Sequence, residues 1–130
     1  SHQNSISFIP RILSKILNGE PIPLYGDGKN IRNWISVWDH CEAIWKVFRE
    51  AQSWSLYNIA SDESYTNREV VEMILQRLQK WSEYISFVSD RLGHDKRYAP
   101  DATKMYKDFW WSPKKTLREE LWNLISSITQ

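Results

Sequence analysis

Apolar residues near the N-terminus recur every three or four positions, which is the spacing of one face of an α-helix. They are Phe8, Ile9, Ile12, Leu13, Ile16 and Leu17. Pro10 fits the first turn of such a helix, where its missing N–H costs nothing, and Gly19 follows the last turn. The pattern predicts a helix over residues 8–17.

Short apolar runs and longer helical patterns alternate along the rest of the chain. The predicted strands cover residues 22–25, 31–37, 56–60 and 85–89. The predicted helices cover residues 39–51, 66–81 and 101–109, and a last helix opens at Thr116. Thr66 with Glu69, and Thr116 with Glu119, have the spacing of a capping box. This alternation predicts an α/β (mixed α+β) fold in one domain over residues 1–130.

Aromatic residues are unusually frequent, with eight Trp and six Tyr in 130 residues. In the predicted helix 39–51 Trp45 widens the apolar stripe. The other members of that stripe are Cys41, Ile44, Val47, Phe48 and Ala51. We expect most of the rings to fill a core, or a surface that another part of a longer protein covers.

Charge and cysteine content narrow the classes of function. The 17 basic residues nearly balance the 16 acidic ones, and the net charge of +1 argues against a nucleic-acid partner. Cys41 is the single cysteine, so a reducing cytoplasmic setting is expected. No apolar run approaches the roughly 18 residues of a membrane span, so we expect a soluble protein without a membrane partner.

A dinucleotide site normally uses a glycine-rich turn between a strand and a helix, whose N–H groups face the pyrophosphate. The single glycine cluster, GDG at residues 26–28, lies between two predicted strands. We interpret it as a simple turn. No cofactor-binding residue is therefore expected in this chain.

Two groups of residues have the right types for catalysis or metal binding but the wrong spacing. Residues 39–41 read Asp-His-Cys, yet neighbours on one helix point in different directions, which disfavours a Cys-His site. His94 lies near Asp90 and Asp95, but one imidazole with two carboxylates in a short loop is weak support for a metal. We expect no catalytic and no metal-binding residue in this chain.

Two arginines are better candidates for binding. Arg32 and Arg91 lie at the edges of predicted strands, where a planar guanidinium can be held rigidly. Such a group binds diphosphate oxygens through two parallel hydrogen bonds.

Several motifs follow one another over nearly the whole chain. They are GEPIPLYGDG at 19–28, IRNW at 31–34, DH at 39–40, YNI at 57–59, TNREVV at 66–71, DRLGHDKRYA at 90–99 and DATK at 101–104. In this order they resemble the extended short-chain dehydrogenase/reductase family. The resemblance is strongest to its sugar-nucleotide 4,6-dehydratases that act on dTDP-glucose.

The resemblance implies that this chain is the C-terminal substrate-binding lobe of such an enzyme. The N-terminal Rossmann fold, which binds NAD and carries the catalytic residues, is then missing from the chain. The resemblance further implies that the full-length parent is a homodimer that uses NAD to convert dTDP-glucose to a 4-keto-6-deoxy sugar nucleotide. The chain alone is expected to be inactive and to bind no NAD.

The resemblance also assigns substrate-binding residues for a nucleoside-diphosphate sugar, dTDP-glucose or UDP-glucose. Those at the nucleoside are Phe8, Pro23, Leu24 and Tyr25; those at the diphosphate are Arg32 and Arg91; those hydrogen-bonding nearby are Asn58 and His94.

Three positions depart from the dehydratase pattern. Ser7 stands where these enzymes usually carry Lys, Leu92 replaces a Pro, and Trp38 replaces an acidic residue. Two alternatives stay open: the same lobe of a sugar-nucleotide 4-epimerase or decarboxylase, and a stand-alone carbohydrate-binding module that uses exposed Trp rings.

Overall fold

The computed structural model describes residues 5–89 and 101–129. The helices are α1 (Ser5–Leu17), α2 (Val37–Glu50), α3 (Asn67–Arg77), α4 (Thr103–Phe109) and α5 (Leu117–Ile128). The strands are β1 (Ile22–Tyr25), β2 (Ile31–Asn33), β3 (Ser64–Thr66) and β4 (Ile85–Val88), the last preceded by a 3₁₀ turn at Ser82–Tyr84. β1 pairs with β4 and β2 pairs with β3 in two separate two-stranded sheets. The predicted mixed α/β fold class is confirmed.

The chain forms two compact units, each built from two stretches of sequence. Unit 1 contains residues 1–31 and 65–97, and unit 2 contains residues 32–64 and 98–130. The sequence pattern contained no sign of this division. The assignment of residues 1–130 to one substrate-binding domain stays a prediction.

The core of unit 1 lies around α1, α3 and the β1–β4 pair. Its buried side chains are Ile12, Leu13, Ile16, Ile22, Leu24, Val70, Val71, Ile74 and Leu75. β1 and β4 run parallel, with Ile22 opposite Ile85 and Tyr25 opposite Val88. The predicted strand 22–25 is confirmed residue for residue.

The core of unit 2 lies around α2, α4 and α5. Ala43, Met105 and Trp111 form a buried cluster, against which Tyr57, Ile59 and other half-buried apolar residues pack. The predicted capping box at the start of α5 is confirmed: Thr116 Oγ1 accepts from the Glu119 amide, and the Glu119 carboxylate accepts from the Thr116 amide.

The ends of α1 show one prediction confirmed and one wrong. Gly19 has a φ of 69°, and the Glu20 amide donates to the Lys15 carbonyl at 2.8 Å, which ends the helix as predicted. The helix begins at Ser5, however, so Pro10 lies inside it and not in the first turn. The residues that α1 contains before Phe8 include one apolar side chain, that of Ile6, so the apolar spacing did not extend the predicted helix to them.

Two other predicted boundaries and one predicted strand were wrong. β2 ends at Asn33, not at residue 37, because the Ser36 hydroxyl caps α2 by accepting from the Trp38 and Asp39 amides. α3 ends at Arg77, not at residue 81, because Gln79 adopts a left-handed φ of 57°. The predicted strand at residues 56–60 is absent, since no described segment pairs with them, whereas β3 at Ser64–Thr66 was not predicted.

Among the residues that the structure describes, no helix has the length and apolar character needed to cross a membrane.

Candidate functional site

Strand β1 carries three of the predicted nucleoside contacts on its two faces. Pro23 and Tyr25 are half-buried and share one face, because alternate residues of a strand point to the same side. Leu24 points to the opposite face and is only 1% exposed, so its side chain is part of the core of unit 1. Only the backbone of Leu24 therefore lies on the side of Pro23 and Tyr25.

The glycine turn follows β1 directly. Gly26 and Gly28 have φ values of 60° and 72°, the Gly28 amide donates to the Tyr25 carbonyl at 3.1 Å, and the Lys29 amide donates to Asp27 Oδ1 at 2.9 Å. The interpretation as a simple turn is confirmed. Gly28 is required here both by its left-handed backbone and by space. A Cβ on Gly28 would lie 3.1 Å from Leu24 Cδ1 and 3.2 Å from Arg68 Cβ.

The turn lies beside the N-terminus of α3, but it does not form a pyrophosphate cradle. The amides of the first helical residues all donate within the protein: Asn67 to the Asn30 carbonyl, Arg68 to the Gly28 carbonyl, and Glu69 to Thr66 Oγ1. A dinucleotide-binding turn leaves such amides to face the phosphates. The residues around this turn therefore do not fit NAD.

The other predicted site residues are distributed over both units. Phe8 is half-buried on α1 in unit 1. In unit 2, Arg32 is half-buried on β2 and Asn58 is exposed in the irregular segment after α2. Arg91 and His94 lie outside the described residues. The common role of these residues in one site stays a prediction.

The Asp-His-Cys run at the start of α2 has a structural role. Asp39 is 2% exposed, and its carboxylate accepts from the amides of Lys114 at 3.1 Å and Lys115 at 2.9 Å. His40 and Cys41 are exposed. The carboxylate is thus committed to the segment before α5, which removes the residue that would orient a catalytic histidine.

Sequence reasoning missed an interaction centred on Tyr57. Its hydroxyl donates to Asp108 Oδ2 at 2.7 Å. This hydrogen bond raises the pKa of the Tyr57 phenol above its usual 10.0. Desolvation of the phenol and the negative charge of Asp108 raise the pKa further. Lys104 Nζ lies 4.4 Å from the centre of the Tyr57 ring and donates to the Leu56 carbonyl at 3.0 Å. These contacts attach the segment around Tyr57 to α4. The one available signal was that Tyr57 and Lys104 both lie in motifs that carry the family resemblance.

A second missed group lies in unit 1 beside the glycine turn. The Arg68 guanidinium lies 5.5 Å from the centre of the Phe87 ring and donates to Glu72 at 3.0 Å. Phe87 is opposite Leu24 in the β1–β4 register and is 51% exposed. No pattern in the sequence linked α3 with β4.

Within residues 5–89 and 101–129, no group of three or more His, Cys, Asp or Glu side chains is arranged to hold a metal ion. The loop that contains Asp90, His94 and Asp95 lies outside the described residues.

Comparisons with a family model, with individual proteins and with solved structures give results that agree with one another. The family model described as GDP-mannose 4,6 dehydratase matches residues 2–123. The low-salt glycan biosynthesis protein Agl12 of Haloferax volcanii is 42% identical over 119 residues, which are 92% of this chain and 38% of that protein. The dTDP-glucose 4,6-dehydratase of Xanthomonas campestris is 39% identical over 120 residues, which are 85% of this chain and 34% of that protein.

Among solved structures, the dTDP-glucose 4,6-dehydratase of Bacillus anthracis in complex with NAD is similar to this chain with a TM-score of 0.87 and 40% identity. The similarity covers 94% of this chain and 38% of the Bacillus anthracis chain. This chain thus spans little more than a third of the length of the relatives that it matches.

Proposed function

Because this chain belongs to the GDP-mannose 4,6-dehydratase family, we propose that it is the sugar-nucleotide-binding portion of a dTDP-glucose 4,6-dehydratase. The family match carries this proposal, since the matched range 2–123 contains the positions of all the predicted site residues. The names of the Xanthomonas and Bacillus relatives, both close to 40% identical, favour dTDP-glucose as the substrate of the whole enzyme.

In this proposal β1 provides the nucleoside contacts. The half-buried face of Pro23 and Tyr25 offers an apolar ring and an aromatic ring to a base, and the backbone of Leu24 runs between them. Phe8 is a further apolar contact from α1. Because Leu24 is buried, we assign its side chain to holding β1 in place and not to the base itself.

The diphosphate is assigned to Arg32 and Arg91, with Asn58 and His94 as nearby hydrogen-bonding groups. A guanidinium binds phosphate oxygens through charge-assisted hydrogen bonds, which are stronger than neutral ones. Strand β2 fixes the backbone of Arg32, and the planar guanidinium group has a fixed geometry that fits phosphate oxygens.

NAD is assigned to the portion of the parent enzyme outside the matched region, because the glycine turn of this chain does not fit a dinucleotide. The binding energy of the nucleotide would then position the hexose for chemistry elsewhere in the enzyme. We further propose that the parent is cytoplasmic, since the single cysteine of this chain offers no internal disulfide. Its homodimeric state stays a prediction that the family resemblance implies.

The proposal is tested by titrating the isolated chain with dTDP, UDP and GDP while recording isotope-edited NMR spectra. One charge-assisted hydrogen bond contributes about 1.5 to 3 kcal/mol, so Arg32→Ala should weaken binding about tenfold or more. Arg32→Lys keeps the charge but loses the paired hydrogen bonds, and should give an intermediate affinity. Arg118→Ala, at an exposed position of α5, is the matched control.

Saturable shifts with dTDP, weakened in the Arg32 variants and unchanged in Arg118→Ala, would support the assigned site. Equal affinity in all variants, at unchanged thermal unfolding midpoints, would remove Arg32 from it. Stronger binding of UDP or GDP than of dTDP would contradict the proposed substrate.

A further inference from the structure

Asn58, which is assigned a hydrogen bond near the diphosphate, lies in a segment that no sheet supports. Residues 56–60 belong to neither of the two sheets in the described part of the chain. Tyr57 and Ile59 pack against the buried cluster of unit 2, while Asn58 between them is exposed. A side chain on such a segment binds a ligand in a defined geometry only if other contacts fix the backbone on both sides of it.

One lysine of α4 contacts both residues that precede Asn58. Lys104 Nζ donates to the Leu56 carbonyl at 3.0 Å and lies 4.4 Å from the centre of the Tyr57 ring. One helical turn later, Asp108 Oδ2 accepts from the Tyr57 hydroxyl at 2.7 Å. The backbone before Asn58 is therefore fixed on α4 through a carbonyl, an aromatic face and a hydroxyl. Lys104 supplies two of these three contacts.

The other end of the segment is fixed by the neighbour of Arg32 on β2. Asn33 Nδ2 donates to the Ser61 carbonyl at 2.7 Å, and the Ser61 amide donates to Asn33 Oδ1 at 3.0 Å. These two hydrogen bonds join β2 to the residue three positions after Asn58. All of these residues belong to unit 2. Asn58 thus lies between two anchors, one on α4 and one beside the arginine that is assigned to the diphosphate.

We propose that Lys104 is a positioning residue for nucleotide binding: it holds Leu56 and Tyr57 on α4, so that the Asn58 amide hydrogen-bonds beside the diphosphate held by Arg32. This inference rests on the proposed function, and it gives Lys104 itself no contact with the nucleotide. The advantage is entropic, because a group on a fixed backbone loses less conformational freedom on binding than a group on a mobile segment. Since Lys104 acts through one neutral hydrogen-bonding group, its effect on affinity should not exceed that of Asn58.

The test titrates the isolated chain with dTDP and compares variants of Lys104. Lys104→Met keeps the length of the side chain but removes the ammonium that makes both contacts. It should weaken dTDP binding about two- to tenfold, which is the range for one neutral hydrogen bond. Lys104→Arg keeps a cation and a donor, and should restore most of the affinity. Lys107→Met removes the same charge from another exposed position of α4 and should leave the affinity unchanged.

A double-mutant cycle separates positioning through Asn58 from a direct or a merely structural role of Lys104. Lys104→Met should weaken dTDP binding in the wild-type background and should have no further effect in Asn58→Ala. In the absence of nucleotide, the NMR order parameter of the Asn58 backbone amide should fall in Lys104→Met, while the thermal unfolding midpoint stays nearly unchanged.

Four results would overturn the inference. They are wild-type affinity in Lys104→Met, an equal loss of affinity in Lys107→Met, a full further loss from Lys104→Met in the Asn58→Ala background, and an unchanged order parameter at Asn58. A wild-type chain that shows no saturable dTDP binding would instead contradict the proposed function, and this inference with it.

Discussion

The buried carboxylate of Asp39 should be one of the main stabilising groups of unit 2. Asp39→Asn keeps the size of the side chain but removes the charge and replaces one acceptor oxygen by an NH₂ donor. One of the two amides that donate to it, those of Lys114 and Lys115, then loses its acceptor, and the other keeps only a neutral one. Losing a charge-assisted hydrogen bond costs about 1.5 to 3 kcal/mol, and weakening the other about 1 kcal/mol. The free energy of unfolding should therefore fall by about 3 kcal/mol.

Urea denaturation followed by tryptophan fluorescence measures this loss. With a denaturant dependence of about 2 kcal/mol per molar, the unfolding midpoint should fall by about 1.5 M. Asp62→Asn, at an exposed position of the same unit, is the control and should stay within about 0.5 kcal/mol of the wild type. If both variants unfold at the same midpoint as the wild type, the carboxylate does not hold the segment before α5, and the reasoning is refuted.

Two further predictions follow from single contacts. Gly28→Ala should lower the free energy of unfolding by about 2 kcal/mol, because it combines left-handed backbone strain with a Cβ 3.2 Å from Arg68 Cβ. Gly19→Ala has the same backbone strain but its Cβ meets open space, so it should lower the free energy of unfolding by about 1 kcal/mol. Equal losses for the two variants in calorimetry would refute the contribution of the close contact at Gly28. The Tyr57 phenol should titrate above pH 10.0 in ¹³C NMR, and its midpoint should fall in Asp108→Asn. Since folding raises the pKa of Tyr57, the stability from its hydrogen bond with Asp108 is present below pH 10 and is lost as the pH rises through the folded pKa. An identical Tyr57 titration midpoint in Asp108→Asn would contradict Asp108 as the cause of the raised pKa.

The candidate site was only partly accessible from sequence. The GDG turn and the strand that carries Pro23 and Tyr25 were predicted because a short apolar run beside glycines is a local signal. The burial of Leu24 was not predicted, because it depends on which face of β1 is turned toward the core of unit 1. The contacts of Arg68 with Phe87 and of Tyr57 with Asp108 join residues 19 and 51 positions apart, and no periodicity reports such pairs.

By itself the sequence determined the five helices and three of the four strands that the structure describes, the helix stop at Gly19, the capping box at Thr116 and the membership of a sugar-nucleotide enzyme family. These features depend on neighbours three to five residues apart, or on motifs that can be read directly. Only the tertiary structure decided that the chain forms two units, that β1 pairs with β4 in parallel, and that residues 56–60 form no strand. The reason is physical: a strand exists only where another segment accepts its hydrogen bonds, and an apolar stripe such as that of α2 does not specify which of its residues the core will bury.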